Sequence, residues 1–179
     1  MTDLTGKILI APPTVDEQFW ESSVIFVVEQ DKNGTVGLVL NKESNMSLED
    51  FGNYCNHELT RPGSVYVGGP SNSKVITMLH SPEWSCNNTL KINNEYAISS
   101  SSEILKLIEE NKVPKFWKLF VGLATWAPGQ LEQEINNSST RAWLIADPTY
   151  RIVFGKDTKK QWNAAIKQAS SEFVQKLLV

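Results

Sequence analysis

Runs of apolar residues rich in β-branched side chains recur along this chain, and they predict a sheet of many short strands. Two such runs, 23–29 and 35–40, flank the pair Asn33-Gly34. An Asn-Gly pair in this position predicts a β-hairpin, because both residues accept positive φ. Further strands are predicted over 8–11, 64–67, 75–80, 89–92, 96–99, 118–125, 142–146 and 150–154.

Helices are predicted where apolar residues recur every three to four positions behind a capping residue. Ser47 precedes two acids and is expected to cap a helix over 48–54. Ser102 is expected to cap a helix over 103–111, and a short helix follows over 130–136. The last predicted helix, 158–178, has an apolar stripe that comprises Trp162, Ile166, Ala169, Phe173 and Leu177.

The balance of elements favours an α+β fold with a mixed, mainly antiparallel sheet. Strands outnumber helices, and short turns join many of them, whereas parallel strands need long crossover connections. Neither a repeat nor a linker divides the sequence. We therefore expect one domain over residues 1–179.

Composition and charge narrow the class of protein. The 179 residues are 41% hydrophobic and 21% charged, with 17 basic and 20 acidic side chains and a net charge of −3, values typical of soluble domains. The N-terminal region lacks the apolar core of about 7–15 residues that a secretory signal needs, and no apolar run approaches the roughly 18 residues of a membrane span. We expect a cytoplasmic protein with no membrane partner.

Few residues suggest a catalytic or metal-binding role. His80 ends an apolar strand, and a histidine hydrogen-bonded at a strand end is the simplest interpretation, with a functional role as the alternative. The other residues of a type that binds zinc are Cys55, His57 and Cys86. Their spacing, together with His80, matches no standard zinc site. We expect no metal and no cofactor. Because the lysines and three arginines form no basic stripe, direct DNA binding is disfavoured.

The most suggestive polar segment follows Trp126. On a helix, Gln130 and Glu134 share a face at i and i+4, with Glu132 turned elsewhere. Two acids on one short helix suit cation binding or acid–base chemistry, and a solvated helix surface is the alternative.

A series of short motifs spans nearly the whole chain in one order. They include LIA at 9–11, SVI at 23–25, NGTVGLVLNK at 33–42, VGGP at 67–70, LH at 79–80, GLATWAPGQLEQEI at 122–135 and WL at 143–144. Together they resemble the bacterial AlgH/YqgE family. The resemblance implies a single cytoplasmic domain whose sheet curls into a pseudo-barrel with flanking helices. It also implies a role in transcriptional regulation, and it brings no established catalytic residues.

Two features depart from that family pattern. Gln30 stands where the family often has histidine, which argues against a mechanism built on that histidine. The stretch 136–141 is slightly longer than usual before Trp143.

Two functional hypotheses follow. The first is a non-enzymatic regulatory or protein-interaction role with a protein partner and without direct DNA binding. The alternative is a small-metabolite-binding protein or enzyme with a site near His80 and Gln130 to Glu134. The predicted binding surface comprises Asn41, Gly68, Gly69, Pro70, His80, Trp126, Gln130 and Glu134. We expect 126–134 to lie beside the 68–70 turn and the end of the His80 strand.

Overall fold

The computed structural model describes residues 3–136 and 143–178 of the chain, which contain ten strands and five helices. The strands are β1 (Ile8–Ile10), β2 (Val24–Asp31), β3 (Gly34–Val39), β4 (Glu43–Ser47), β5 (Ser64–Val67), β6 (Ser71–His80), β7 (Thr89–Lys91), β8 (Ala97–Ser99), β9 (Trp117–Trp126) and β10 (Leu144–Ala146). The helices are α1 (Leu48–Tyr54), α2 (Ile104–Glu109), α3 (Gln130–Asn136), α4 (Tyr150–Val153) and α5 (Thr158–Leu177). The segment 137–142, where an unusually long connection and the start of a strand were expected, lies outside the described residues.

The chain divides into two compact units, one formed by Met1–Asn41 with Ala124–Val179 and the other by Lys42–Leu123. Each unit holds part of the ten-stranded sheet and has its own core. The expectation of one domain over residues 1–179 stays a prediction.

In the first unit the strand order is β10-β1-β2-β3, and β3 continues onto the last residues of β9. All of these pairs are antiparallel. Helix α5 packs against β1, β2, β10 and α4. The buried core comprises Leu4, Leu9, Ala11, Val15, Ile25, Val27, Val39, Ala124, Trp126, Leu131 and Trp143.

In the second unit β9 lies between β5 and β6, and β6 continues to β8 and β7. The pairing of β5 with β9 is parallel, and the other pairs are antiparallel. The core comprises Leu48, Phe51, Leu59, Val65, Met78, Ile104, Leu105, Ile108 and Leu119. The predicted α+β class with a mainly antiparallel sheet is therefore confirmed.

The predicted β2–β3 hairpin is confirmed, but its turn chemistry differs from the expectation. Asp31 pairs with Gly34, so Lys32 and Asn33 form the two-residue turn, and neither has positive φ. Gly34 has φ 134°, and a Cβ there would lie 2.2 Å from the Trp126 carbonyl oxygen. Glycine is required at this position for close backbone approach as well as for its φ.

The predicted strand over 150–154 is wrong, because Tyr150–Val153 form helix α4. The Thr149 side chain accepts a hydrogen bond from the Ile152 backbone N–H at 3.3 Å and caps the helix. Ile152 and Val153 are buried. A short apolar stretch with β-branched residues fits either element, and here the cap and the burial decide.

The other helix starts test the capping predictions directly. Ser47 caps α1 as predicted, accepting from the Asp50 N–H at 3.0 Å. Ser102 does not cap α2, whose N-cap is Glu103. Ser101 is the serine that bonds there, accepting from the Glu103 N–H at 3.1 Å.

The C-terminal helix is present, but its predicted apolar stripe is only half correct. The Asp157 side chain caps α5 by accepting from the Lys160 N–H at 3.1 Å. Gln161 and Ala165 are the residues that α5 buries. Phe173 and Leu177, the last members of the stripe, are 63% and 70% exposed. Packing therefore covers the first half of the helix and leaves the second half to solvent.

Candidate functional site

Helix α3 brings together three of the predicted site residues around one carboxylate. Glu134 Oε2 accepts hydrogen bonds from Trp126 Nε1 at 3.1 Å and from Trp143 Nε1 at 2.8 Å. Gln130 Nε2 donates to Glu134 Oε1 at 3.0 Å, as the i, i+4 spacing predicts. Gln130 Oε1 accepts from the Ala127 N–H at 3.0 Å, which supports the first turn of the helix.

The two indoles belong to a tryptophan cluster at the edge of the first core. The ring centroids of Trp20, Trp126 and Trp143 lie 5.9–6.3 Å apart. Trp126 and Trp143 are buried, and Glu134 is half-buried. A buried indole N–H needs an acceptor, and Glu134 satisfies two of them with charge-assisted hydrogen bonds. The arrangement anchors α3 to the core.

Glu132 also has a partner, which the helix pattern did not indicate. Gln30 Nε2 donates to Glu132 Oε1 at 2.8 Å. Gln30 Oε1 in turn accepts from the Leu4 N–H at 2.7 Å. The residue that replaces the family's frequent histidine thus links α3, β2 and the segment before β1.

His80 lies in a separate, fully buried network in the second unit. Its Nδ1 is 2.9 Å from the Ser81 carbonyl oxygen, and its Nε2 is 2.8 Å from Ser99 Oγ. Burial lowers the pKa of His80, while the Ser81 carbonyl and the charge of Glu83 act in the opposite direction. In the neutral ring Nδ1–H donates to the carbonyl and Nε2 accepts from the Ser99 hydroxyl. This geometry fits a satisfied histidine at a strand end.

The remaining predicted residues hold backbone segments in place. Asn41 Oδ1 accepts from the Val24 N–H at 2.9 Å, and its Nδ2 donates to the Ser22 carbonyl at 2.7 Å. In the 68–70 turn, Gly68 N–H donates to the Val121 carbonyl at 2.9 Å, and Pro70 is exposed. The backbone of Gly69 approaches Gly122 so closely that a Cβ on Gly122 would lie 2.5 Å from the Gly69 carbonyl oxygen.

These residues fall into two sets, one in each unit. Asn41, Trp126, Gln130 and Glu134 belong to the first unit, and Gly68, Gly69, Pro70 and His80 belong to the second. The shared concave surface expected for 126–134 and the 68–70 turn stays a prediction.

A buried lysine is the principal feature that sequence reasoning missed. Lys118 is 4% exposed, and its Nζ lies 4.2 Å from the centroid of the Tyr66 ring. Burial lowers the pKa of Lys118 to about 7, against the opposing charge of Glu43. Burial, followed by the negative charge of Glu43 and a hydrogen bond with it, raises the pKa of Tyr66 to about 12. The signal that could have revealed this site is the presence of a lysine in the otherwise apolar stretch 118–125.

Neither a metal centre nor a membrane span is visible in the described part of the chain. Across residues 3–136 and 143–178, no three His, Cys, Asp or Glu side chains are placed to hold a metal ion together. None of the described helices combines the length and the apolar character needed to cross a bilayer.

An exposed apolar surface lies where β10 meets the end of α5. Leu144, Ile145, Phe173 and Val174 line it, and the exposed Leu177 and Leu178 follow at the end of α5. We call these six residues the apolar edge surface. A groove of about 540 Å³ runs through it, walled by Trp143 on one side and Ala169 on the other. Among the described residues, β1 is the only strand that pairs with β10.

Comparison with known proteins identifies the fold. Residues 8–174 match the family model described as AlgH-like. The chain belongs to the AlgH-like family. The resemblance of its motifs to this family is thereby confirmed.

Individual AlgH-like proteins match over most of their length. A UPF0301 protein of Gluconobacter oxydans is 35% identical over 168 residues, which cover 91% of this chain and 89% of the relative. A UPF0301 protein of Ruegeria pomeroyi is 34% identical over 170 residues, covering 92% and 91%. The solution structure of the AlgH protein from Pseudomonas aeruginosa has a TM-score of 0.78 and 28% identity, covering 93% of this chain and 89% of that one. A crystal structure from Corynebacterium diphtheriae, with a TM-score of 0.75 and 24% identity, shares the fold over 92% of this chain and 86% of that one.

The two longest AlgH-like motifs meet in the first sheet. Thr35 pairs with Trp126, and Gly37 pairs with Ala124. A Cβ on Gly37 would lie 2.7 Å from the Ile25 side chain, so this glycine also serves packing. The residues that carry the resemblance here build the fold, and their positions alone define no reaction.

Proposed function

We propose that this AlgH-like protein acts by binding another protein, in a regulatory and non-enzymatic role, through the apolar edge surface. The observation that carries the proposal is the exposure of Phe173 and Leu177 near β10, a strand with which, among the described residues, only β1 pairs. Contiguous exposed apolar side chains of this kind mark interaction sites on soluble proteins.

The partner segment that suits this surface is an extended, apolar stretch of chain. An open strand edge offers unpaired N–H and C=O groups that an added strand satisfies. Alternate side chains of that strand would enter the groove between β10 and α5. Glu172 and Lys176 also line the groove and would give the contact a polar rim.

The polar residues that the sequence suggests for a metabolite or enzyme site form hydrogen bonds within the fold. Glu134 accepts from two indoles, and His80 and Asn41 each bond with both polar atoms of the side chain. This supports the interaction role over the alternative site near His80 and Gln130 to Glu134. The proposal includes a cytoplasmic location and, as the family resemblance implies, regulation of transcription through a protein rather than through direct contact with DNA.

The test is affinity capture from a bacterial extract with quantitative mass spectrometry. The double variant Phe173→Ser/Leu177→Ser removes two apolar anchors, and Tyr54→Ser, at an exposed tyrosine of α1, is the matched control. We expect a partner that wild type and Tyr54→Ser capture equally and that the double variant loses by tenfold or more.

Three outcomes would contradict the proposal. Equal capture by the double variant would show that the partner binds elsewhere. Concentration-dependent dimers in light scattering that the double variant abolishes would assign the surface to a second copy of this chain. Flotation with lipid vesicles, lost in the same variant, would assign it to a membrane surface.

A further inference from the structure

Helices α4 and α5 border a second groove, which shares no lining residue with the groove of the apolar edge surface. It has a volume of about 680 Å³. Its lining comprises Thr149, Arg151, Ile152, Lys160, Asn163, Ala164, Lys167, Gln168 and Ser171. Three of these nine side chains are basic, and none is acidic.

The groove concentrates positive charge in a chain that is acidic as a whole. Residues 149–178 contain six basic and two acidic side chains, for a net charge of +4, whereas the rest of the chain has eleven basic and eighteen acidic side chains and a net charge of −7. Lys160 pairs with Asp157 at 2.9 Å. Arg151 and Lys167 are exposed, and neither forms an ion pair within the described part of the chain.

The basic residues approach the groove from both walls. Lys160 and Lys167 lie two turns apart on α5, about 10 Å along the axis at 1.5 Å per residue. Arg151 lies on the opposite wall, on α4. Asn163 and Ser171 add uncharged polar groups on the α5 wall, and buried Ile152 contributes apolar surface.

We propose that this groove binds a small, soluble ligand that carries two or more phosphate groups. The Arg151 guanidinium suits two phosphate oxygens at once, and Lys167 contributes a point charge from the other wall. Asn163 and Ser171 would bond the uncharged part of the ligand. The volume lies within the range of about 300–1,000 Å³ typical of small-molecule sites and suits a ligand the size of a nucleotide.

The surrounding charges favour a compact ligand over a long polyanion. Asp157 and Glu172 bound the basic stretch of α5, about 22 Å apart along the helix. A nucleic acid that tracked the helix would meet an acid at each end, and the −7 charge elsewhere would repel its flanks. Neither acid lines the groove, although Asp157 pairs with Lys160 at 2.9 Å and Glu172 Oε1 accepts from Gln168 Nε2 at 2.8 Å. A compact phosphate cluster between Arg151 and Lys167 would need to contact the lining residues alone.

Isothermal titration calorimetry with inorganic tripolyphosphate tests the site. The variant Arg151→Gln/Lys167→Gln removes two positive charges, and Lys74→Gln/Lys91→Gln removes two from exposed positions on β6 and β7. We expect one saturable site in the wild type, tenfold or more weaker in the groove variant and within twofold of wild type in the control. Because the groove side chains changed are exposed, the melting temperature should stay unchanged.

Several results would overturn the proposal. These are equal affinity in the groove variant, or no saturable binding at millimolar tripolyphosphate and low salt. Tighter binding to a single-stranded oligonucleotide, or to phosphatidylglycerol vesicles, than to tripolyphosphate would assign the groove to an extended polyanion or a membrane headgroup. The proposal does not depend on the apolar edge surface, so Phe173→Ser/Leu177→Ser should bind tripolyphosphate as the wild type does.

Discussion

The hydrogen bonds of Glu134 can be predicted only in part from the sequence. The spacing of Gln130 and Glu134 predicts their contact, because residues four apart on a helix share a face. Trp143 is nine residues away along the chain, and its donation to Glu134 at 2.8 Å depends on packing in the first unit. The sequence therefore indicates the residues of this cluster without indicating that the carboxylate serves two buried indoles.

Replacing Glu134 by alanine should destabilise the protein. The change leaves two indole N–H groups without their acceptor, at a cost of about 1–3 kcal/mol in the free energy of unfolding. Urea unfolding followed by tryptophan fluorescence measures it, with Glu21→Ala, an exposed acid of the same unit, as the control. Equal unfolding midpoints for the two variants would show that the indoles find other acceptors.

Lys118 should make stability depend on pH in a defined direction. Its pKa is about 7 in the folded protein and about 10.5 in the unfolded chain, so between these values the unfolded state binds one more proton. The free energy of unfolding then rises with pH, by up to about 1.4 kcal/mol per pH unit from this group. Below pH 7 both states are protonated, and the cost of the buried charge is constant.

The variant Lys118→Met should remove that dependence. We expect it to be more stable than the wild type at pH 7.5, with a difference that shrinks as the pH rises to 9.5. Above pH 10 the raised pKa of Tyr66 acts with the opposite sign in both proteins, because the folded state then holds the extra proton. Guanidinium unfolding at four pH values measures this, and parallel curves for the two proteins would refute it.

At the scale of elements, two predictions that depend on local interactions succeed. The Ser47 cap and the β2–β3 hairpin depend on a few neighbouring residues, and both are present. The predicted strand over 150–154 is wrong because the apolar pattern of these residues fits a strand or a helix. The burial of Ile152 and Val153 in the fold favours the helix. The predicted apolar stripe of α5 is buried only in its first half for a related reason. A stripe shows which face of a helix is apolar, but it does not show how far along the helix the core extends.

A comparison of Gly34 with Gly129 distinguishes the cost of a positive φ from the cost of close backbone packing. Gly34 and Gly129 both have positive φ, but a Cβ on Gly34 would meet the Trp126 carbonyl oxygen, whereas one on Gly129 would meet nothing within 4 Å. Gly129→Ala should cost about 1–2 kcal/mol in the free energy of unfolding. Gly34→Ala should cost more, because the backbone pairing of β3 with β9 must also shift. Urea unfolding of both variants tests this, and equal losses would show that the β3–β9 contact yields without cost.

At the scale of the molecule, charge is distributed far less evenly than the net value suggests. The total charge of −3 conceals a C-terminal segment with a net charge of +4, because the rest of the chain is strongly acidic. The lysines of α5 are separated along the chain, and only the helix places Lys160 and Lys167 in one groove with Arg151. Linear spacing cannot show that grouping, since Arg151 belongs to a segment expected to be a strand.

We predict that the two units unfold in one cooperative transition, as the expected single domain over residues 1–179 requires. The chain supports this through β9, a continuous strand whose residues up to Leu123 belong to one unit and whose last three belong to the other. A domain of this size commonly unfolds without populated intermediates. Glu134→Ala in the first unit and Lys118→Met in the second provide independent probes. Differential scanning calorimetry at pH 7.5 should show one peak that the first variant lowers and the second raises. Two peaks, each moved only by the variant in its own unit, would instead show that the units are separate domains.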